Sequence, residues 1–232
     1  MQKTKTGFKT AACLSAAILL GASSASSLAA VIYDNTDSSP GQMTDQGNAE
    51  IGDIVQFTGT DRILTDFQFE YFLSPGASGN EMGQIFLRAL DGPVVDGINL
   101  PGTLLYSSDT FNLRATADGY DRINLSGLAV NVPDAIAWTV SVTGVETTEE
   151  MGFLFYSDAD STGLNPTFLD DVTGMQEHFT IRRQADGSWD LLNHPGVEDN
   201  LNARFTAVPE PTTWALMLGG LGILGFMRRR AK

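Results

Sequence analysis

Cysteine is nearly absent from this 232-residue chain, Cys13 being its only one. An internal disulfide, a redox pair and a thiolate metal cage are therefore all excluded. Histidine is almost as scarce: only His178 and His194 could serve as imidazole bases, and no Gly-x-Ser-x-Gly elbow accompanies them, so a hydrolytic triad is not expected. Phosphate-cradling glycine loops are missing too, and nothing implies a nucleotide or organic cofactor. Lysine occurs only at Lys3, Lys5, Lys9 and Lys232. Between residues 31 and 207, seven arginines face twenty-seven carboxylates, a net formal charge of −20. Such a surface repels nucleic acid and anionic lipid and attracts divalent cations. Its acids are dispersed rather than blocked, as on a folded, solvated body.

The two ends carry addresses. Lys3, Lys5 and Lys9 form a basic region, residues 11–22 an apolar stretch, and residues 23–30 a run of small residues, the anatomy of a signal peptide over 1–30. Ser27-Leu28-Ala29 fits the small-x-small rule, so signal peptidase should cut after Ala29 or Ala30. Thr10-Ala11-Ala12 before Cys13 is no lipobox, and Cys13 should leave with the signal. At the other end Val208-Pro209-Glu210-Pro211 leads into fourteen uncharged residues, Trp214 to Met227, followed by Arg228-Arg229-Arg230-Ala231-Lys232. As a helix those fourteen residues would reach about 21 Å, short of a hydrocarbon core of about 30 Å. Counted from Pro211 the stretch has seventeen residues, the lower limit of a span. The cations should stay cytoplasmic, leaving the body facing outward.

Val208, Pro209, Glu210 and Pro211, the apolar stretch containing Gly219-Gly220-Leu221-Gly222, and the basic stop Arg228, Arg229 and Arg230 together resemble the PEP-CTERM sorting signal of Gram-negative bacteria. That resemblance implies a membrane-embedded exosortase that recognises Pro209-Glu210-Pro211 and processes the protein there. It also implies transient anchoring in the membrane by the C-terminal helix, final residence at the cell surface or in an extracellular matrix, and an association with exopolysaccharide and biofilm.

The remaining 177 residues, 31–207, suit one exported domain. With no cysteine, it must hold by its core, its hydrogen bonds or a bound metal. Ile63 to Leu73 alternates apolar and polar residues through Asp66, Gln68 and Glu70, the period of a half-buried strand. Similar runs are expected at 53–58, 84–90, 103–107, 109–114, 120–125, 128–132, 135–143, 152–157, 178–183, 188–192 and 201–207. Turn signals separate them, and Asp186-Gly187 marks the clearest hairpin. No segment keeps a helical period for three turns. The pattern predicts an all-β, antiparallel, jelly-roll-like β-sandwich between the signal helix and the C-terminal transmembrane helix. Tyr33-Asp34-Asn35, the stretch Leu100-Pro101-Gly102-Thr103-Leu104-Leu105-Tyr106, Val140-Ser141-Val142-Thr143 and Phe153-Leu154-Phe155-Tyr156 resemble the choice-of-anchor domains of exported proteins. That likeness implies a β-sandwich without an assigned activity.

Two places in the body carry chemistry. Asp158 and Asp160, followed by Asp170 and Asp171, put oxygen ligands on loops, candidates for a structural Ca²⁺. The loop opens like an EF-hand but lacks its glutamate and flanking helices. Trp189, just after the hairpin turn, is the candidate glycan contact, whereas Trp138 alternates with Ile136 and Val140 and is expected in the core. Carboxylate pairs are too abundant to single out a glycosidase. The composition and the tail together predict a non-enzymatic, exported, acidic matrix or surface protein. The alternatives are a lectin-like carbohydrate-binding module and, behind it, a polysaccharide-degrading enzyme on the same scaffold.

Overall fold

A computed structural model describes residues 28–36, 43–44, 46–157, 162–169, 176–193 and 199–210. Among these residues the secondary structure is all strand, without helix. In chain order the strands are β1 (Ala30–Asp34), β2 (Glu50–Gln56), β3 (Ile63–Leu73), β4 (Met82–Ala89), β5 (Val94–Val95), β6 (Ile98–Asn99), β7 (Leu104–Ser107), β8 (Phe111–Asn112) and β9 (Tyr120–Asn131). They continue as β10 (Ala135–Thr143), β11 (Met151–Phe153), β12 (Phe155–Ser157), β13 (Phe168–Leu169), β14 (Gln176–Glu177), β15 (Phe179–Arg183), β16 (Trp189–Asn193), β17 (Asp199–Leu201) and β18 (Arg204–Val208).

Two antiparallel sheets carry the body. In the first, β9 lies along one edge of β3, β18 and β11 share the other edge, and β1 closes on β18. The second runs β16-β15-β2-β10-β4, with β7 and β8 on the far edge of β4. Alternation explains why they face each other. Phe67, Phe69, Tyr71 and Leu73 point inward from β3, and Ile136, Trp138, Val140 and Val142 from β10, all at most 1% exposed. The layers meet through aromatic rings: Phe67 stands edge-on to Trp138 at 5.3 Å, and Phe69 lies 5.7 Å from the same indole. This is a β-sandwich with one shared apolar core.

The placement of Trp138 in the core agrees with its alternation. The hairpin around Asp186-Gly187 also forms, joining β15 to β16 through Gln184 N–H donating to Ser188 O at 2.8 Å. Several boundaries differ from the expected ones. The strand expected from Asp53 starts at Glu50, because β2 is buried on both faces and shows no clean alternation. The runs 120–125 and 128–132 form one continuous β9 through Gly127, whose φ of 72° lets the chain pass a bulge opposite Leu64 and Asp66. The run 109–114 shrinks to β8, and 152–157 is interrupted at Leu154.

Asp53 occupies an inward position in β2 and is 2% exposed. Its carboxylate accepts hydrogen bonds from Ile54 N–H at 2.7 Å, Asn165 Nδ2 at 3.0 Å and Leu201 N–H at 3.2 Å. A buried carboxylate is tolerable only with such donors. Here it ties β2 to β17 and to the segment around Asn165.

Candidate functional site

The closing strand and the sorting tripeptide are contiguous. β18 sits between β1 and β3, with Ala207 opposite Ala30 on one side and Leu64 on the other. Its anchor is Phe205, fully buried, stacked on Phe67 with centroids 4.4 Å apart and edge-on to Phe57 and Tyr33 at 5.3 and 6.1 Å. Val208 ends the strand opposite Ile63, and Pro209 and Glu210 follow directly, outside any strand. Proline has no N–H for a ladder, so the sheet stops where the motif begins. Pro211, the apolar tail and Arg228, Arg229 and Arg230 lie outside the described residues.

The outer face of the second sheet holds a polar cluster. Glu50, at the start of β2, accepts a hydrogen bond from Thr139 Oγ1 at 2.7 Å and pairs with Arg183 at 3.2 Å and Arg88 at 3.6 Å. Register explains the meeting: Glu50 stands opposite Ser141 of β10 and Arg183 of β15, while Arg88 on β4 reaches across β10. Arg88 is 9% exposed, and its pKa is lowered from the ordinary arginine value, chiefly by burial. Trp189 lies opposite Arg183, half-buried, with the Arg88 and Arg183 guanidinium carbons 5.7 and 5.8 Å from its ring centre. Cation–π contacts of this kind hold guanidinium groups in place. The candidate glycan contact is thus built into an arginine cluster and is not a bare platform.

Beside this cluster opens a cleft of about 670 Å³, lined by Gln46, Glu50, Ser141, Thr143, Arg183 and Gln184 among others. A second cleft, of about 530 Å³, runs along the open edge of the sandwich between β7, β8 and β9, with Tyr106 and Phe111 beside Asp109, Asp121 and Arg114. Neither was legible in the sequence, since each gathers side chains from distant strands.

Asp158, Asp160, Asp170 and Asp171 lie outside the described residues, as does His194. Among the described residues no group of three or more His, Cys, Asp or Glu side chains is placed to hold a metal ion. His178 Nδ1 lies 2.9 Å from Asn200 Oδ1; with that amide oxygen accepting, Nδ1 carries the proton.

The geometry defines a class first: a β-sandwich whose chain runs from its last strand straight into a C-terminal sorting segment. Residues 207–231 match the family model of the PEP-CTERM protein-sorting motif, so this chain carries that motif, overlapping β18 by its final residues. The motif implies an exported protein that is processed by exosortase after membrane-associated sorting. The all-β body is compatible with the choice-of-anchor resemblance. No curated protein matches the chain.

Proposed function

We propose that this is a non-enzymatic structural protein of the cell surface or extracellular polysaccharide matrix, delivered as a single domain, residues 31–207, and released or displayed after exosortase acts at Pro209-Glu210-Pro211. The observation that carries the reading is the junction at Val208, where a completed sandwich meets the sorting motif with no further body sequence between them. The body is read as jelly-roll-like because β2 and β3 wrap as a ribbon over both sheets, β2 along β10 and β3 along β9. Its net charge of −20 supports bridging by divalent cations to anionic polysaccharide. Such bridging is salt-sensitive.

The test is to express the full chain in hosts with and without exosortase and determine the termini of the mature form in membrane, surface and medium fractions. Loss of the segment from about Pro209 onward only when the enzyme is present is expected. An intact tail retained in the membrane of both hosts would overturn the reading.

Glycan recognition, the second reading, is favoured by one observation: Arg183, whose guanidinium packs on the Trp189 ring, lines the 670 Å³ cleft. A saturable response on a glycan array, lost on Trp189→Ala, tests it.

A further inference from the structure

The cleft beside Trp189 arises from a strand that stops early. β2 begins at Glu50, and the residues before it cross toward the other sheet, where Gln46 N–H donates to Met151 O at 3.0 Å. Beyond that point β10 runs on to Thr143, and the chain leaving β15 at Arg183 continues through Gln184 into its hairpin turn. The gap between them is the cleft of about 670 Å³, within the size range of about 300–1,000 Å³ for ligand sites.

Its lining is selective in charge. The body is strongly acidic, yet Arg88 and Arg183 share the single carboxylate Glu50, whose oxygens are already engaged by both arginines and by Thr139. One positive charge is left uncompensated in that trio. Arg183 is the exposed member, its side chain 39% accessible, with one Nη on Glu50 and Trp189 beside it. The remaining donors of its planar fork suit a carboxylate approaching from the cleft.

A second polar group points the same way. Gln46 is 2% exposed, and its Nε2 donates to Ala49 O at 2.7 Å and Val140 O at 3.4 Å. Two carbonyls on that side fix the amide orientation, because the opposite flip would set oxygen against oxygen. Gln46 Oε1 is then a buried acceptor without a donor, on a residue that lines the cleft, and a ligand reaches it only with a shift of that lining. A ligand hydroxyl would satisfy it, and Ser141 and Thr143 offer further hydroxyl partners across the gap.

A carboxylate and hydroxyls on one ligand describe an acidic sugar. We propose that this cleft binds a uronate residue of an acidic polysaccharide, with Arg183 taking the carboxylate and Gln46 Oε1 accepting from a ring hydroxyl; the proposal rests on the glycan-recognition reading. Trp189 and Glu50 act through Arg183 as positioning residues. Contact is direct and needs no divalent cation, unlike the bridging that the acidic surface supports elsewhere.

Calorimetric titration of the full-length protein in detergent tests this, with EDTA present and a galacturonate hexamer as the probe. The same hexamer with its carboxyls reduced to alcohols is the control. Saturable binding is expected, weakened at least about tenfold by Arg183→Ala and by carboxyl reduction. Thr143→Glu, which leaves the Glu50–Arg183 pair intact, should weaken it comparably, with unchanged melting. Gln46→Leu should reduce binding severalfold. Equal binding of the reduced hexamer, or binding indifferent to Arg183 and Thr143, would overturn the uronate assignment while leaving glycan recognition standing. No binding of either hexamer would overturn the cleft proposal; glycan recognition itself falls only if polysaccharide isolated from the producing cells also fails to bind. Export and processing at Pro209 are unaffected by either result.

Discussion

Replacing Phe205 by alanine should remove a large part of the stability of the sandwich. Its ring is fully buried, lies against Phe67 at 4.4 Å with an interplanar angle of 18°, and meets Phe57 and Tyr33 edge-on. A buried Phe→Ala change costs about 3–5 kcal/mol. Each aromatic pair contributes about 0.5–1.5 kcal/mol beyond its buried area, which places this site toward the upper end. Against a total of about 5–15 kcal/mol for a domain, a loss of about 5 kcal/mol takes from about a third of the stability to all of it. Phe205→Leu keeps most of the volume but gives up the ring contacts, and should cost clearly less than Phe205→Ala. Arg204→Ala, one residue earlier on the outward face, removes only a half-exposed pair with Asp34 and should change stability by about 0–1 kcal/mol. Urea unfolding of the processed protein, followed by tryptophan fluorescence, measures all three. A loss below about 1.5 kcal/mol for Phe205→Ala would refute the placement of β18 at the centre of the first sheet, since no central strand could give up its largest core ring so cheaply.

Alkaline stability should depend on Tyr71. Burial, the larger cause, and the neighbouring Asp121 push its pKa from 10.0 up to about 12, despite the N–H of Arg114 donating to its hydroxyl at 2.7 Å. A raised folded-state pKa means that the contribution is full below pH 10 and is lost as the pH rises toward 12. Tyr156 shifts in the same direction through burial and the Glu70 carboxylate. Spectroscopic titration should therefore show phenolate absorbance still incomplete at about pH 11, with Tyr71→Phe removing part of the late phase; one transition complete near pH 10 would contradict this. Gly52→Ala should destabilise by about 3 kcal/mol or more, because a Cβ there would lie 1.9 Å from Trp138 O and force β2 from β10. Denaturation of that variant within about 0.5 kcal/mol of the native protein would show that the two strands do not approach so closely.

The elements read most clearly in the sequence are those with one wet face. β3 shows its alternation over eleven residues, and the β15–β16 hairpin announces itself by Asp186-Gly187. β2 hides its start because Ile51, Gly52, Asp53, Ile54 and Val55 are all buried, so burial on both faces erases the period. The short hairpin of β5 and β6 turns on Asp96 and Gly97, with φ of 50° and 81°. That Asp-Gly signal was present between Val95 and Ile98, but two-residue strands are too short to show alternation. Glu50, Arg88 and Arg183 form no local motif whatever; only the order β15-β2-β10-β4 brings them to one face. Local composition can mark a strand or an address, but a binding face assembled from four strands appears only once the register is known.

That dependence on register also decides what the tail is attached to. β18 lies between β1 and β3, and its partners include Ala30, the first residue of the first strand. The sheet therefore pairs the two ends of the body, and no chain short of Val208 contains its central closing strand. Because such a contact spans nearly the whole body, it is of high sequence separation and is expected to form late in folding. Without disulfides to hold earlier intermediates, the sandwich is completed only by the residues that directly precede Pro209. Cleavage on the body side of Arg204 would strip out Phe205 and open the core, whereas cleavage beyond Val208 leaves every sheet contact of β18 in place. The position of the sorting motif, immediately after the last paired residue, is the one that lets a processing enzyme remove the tail without touching the fold.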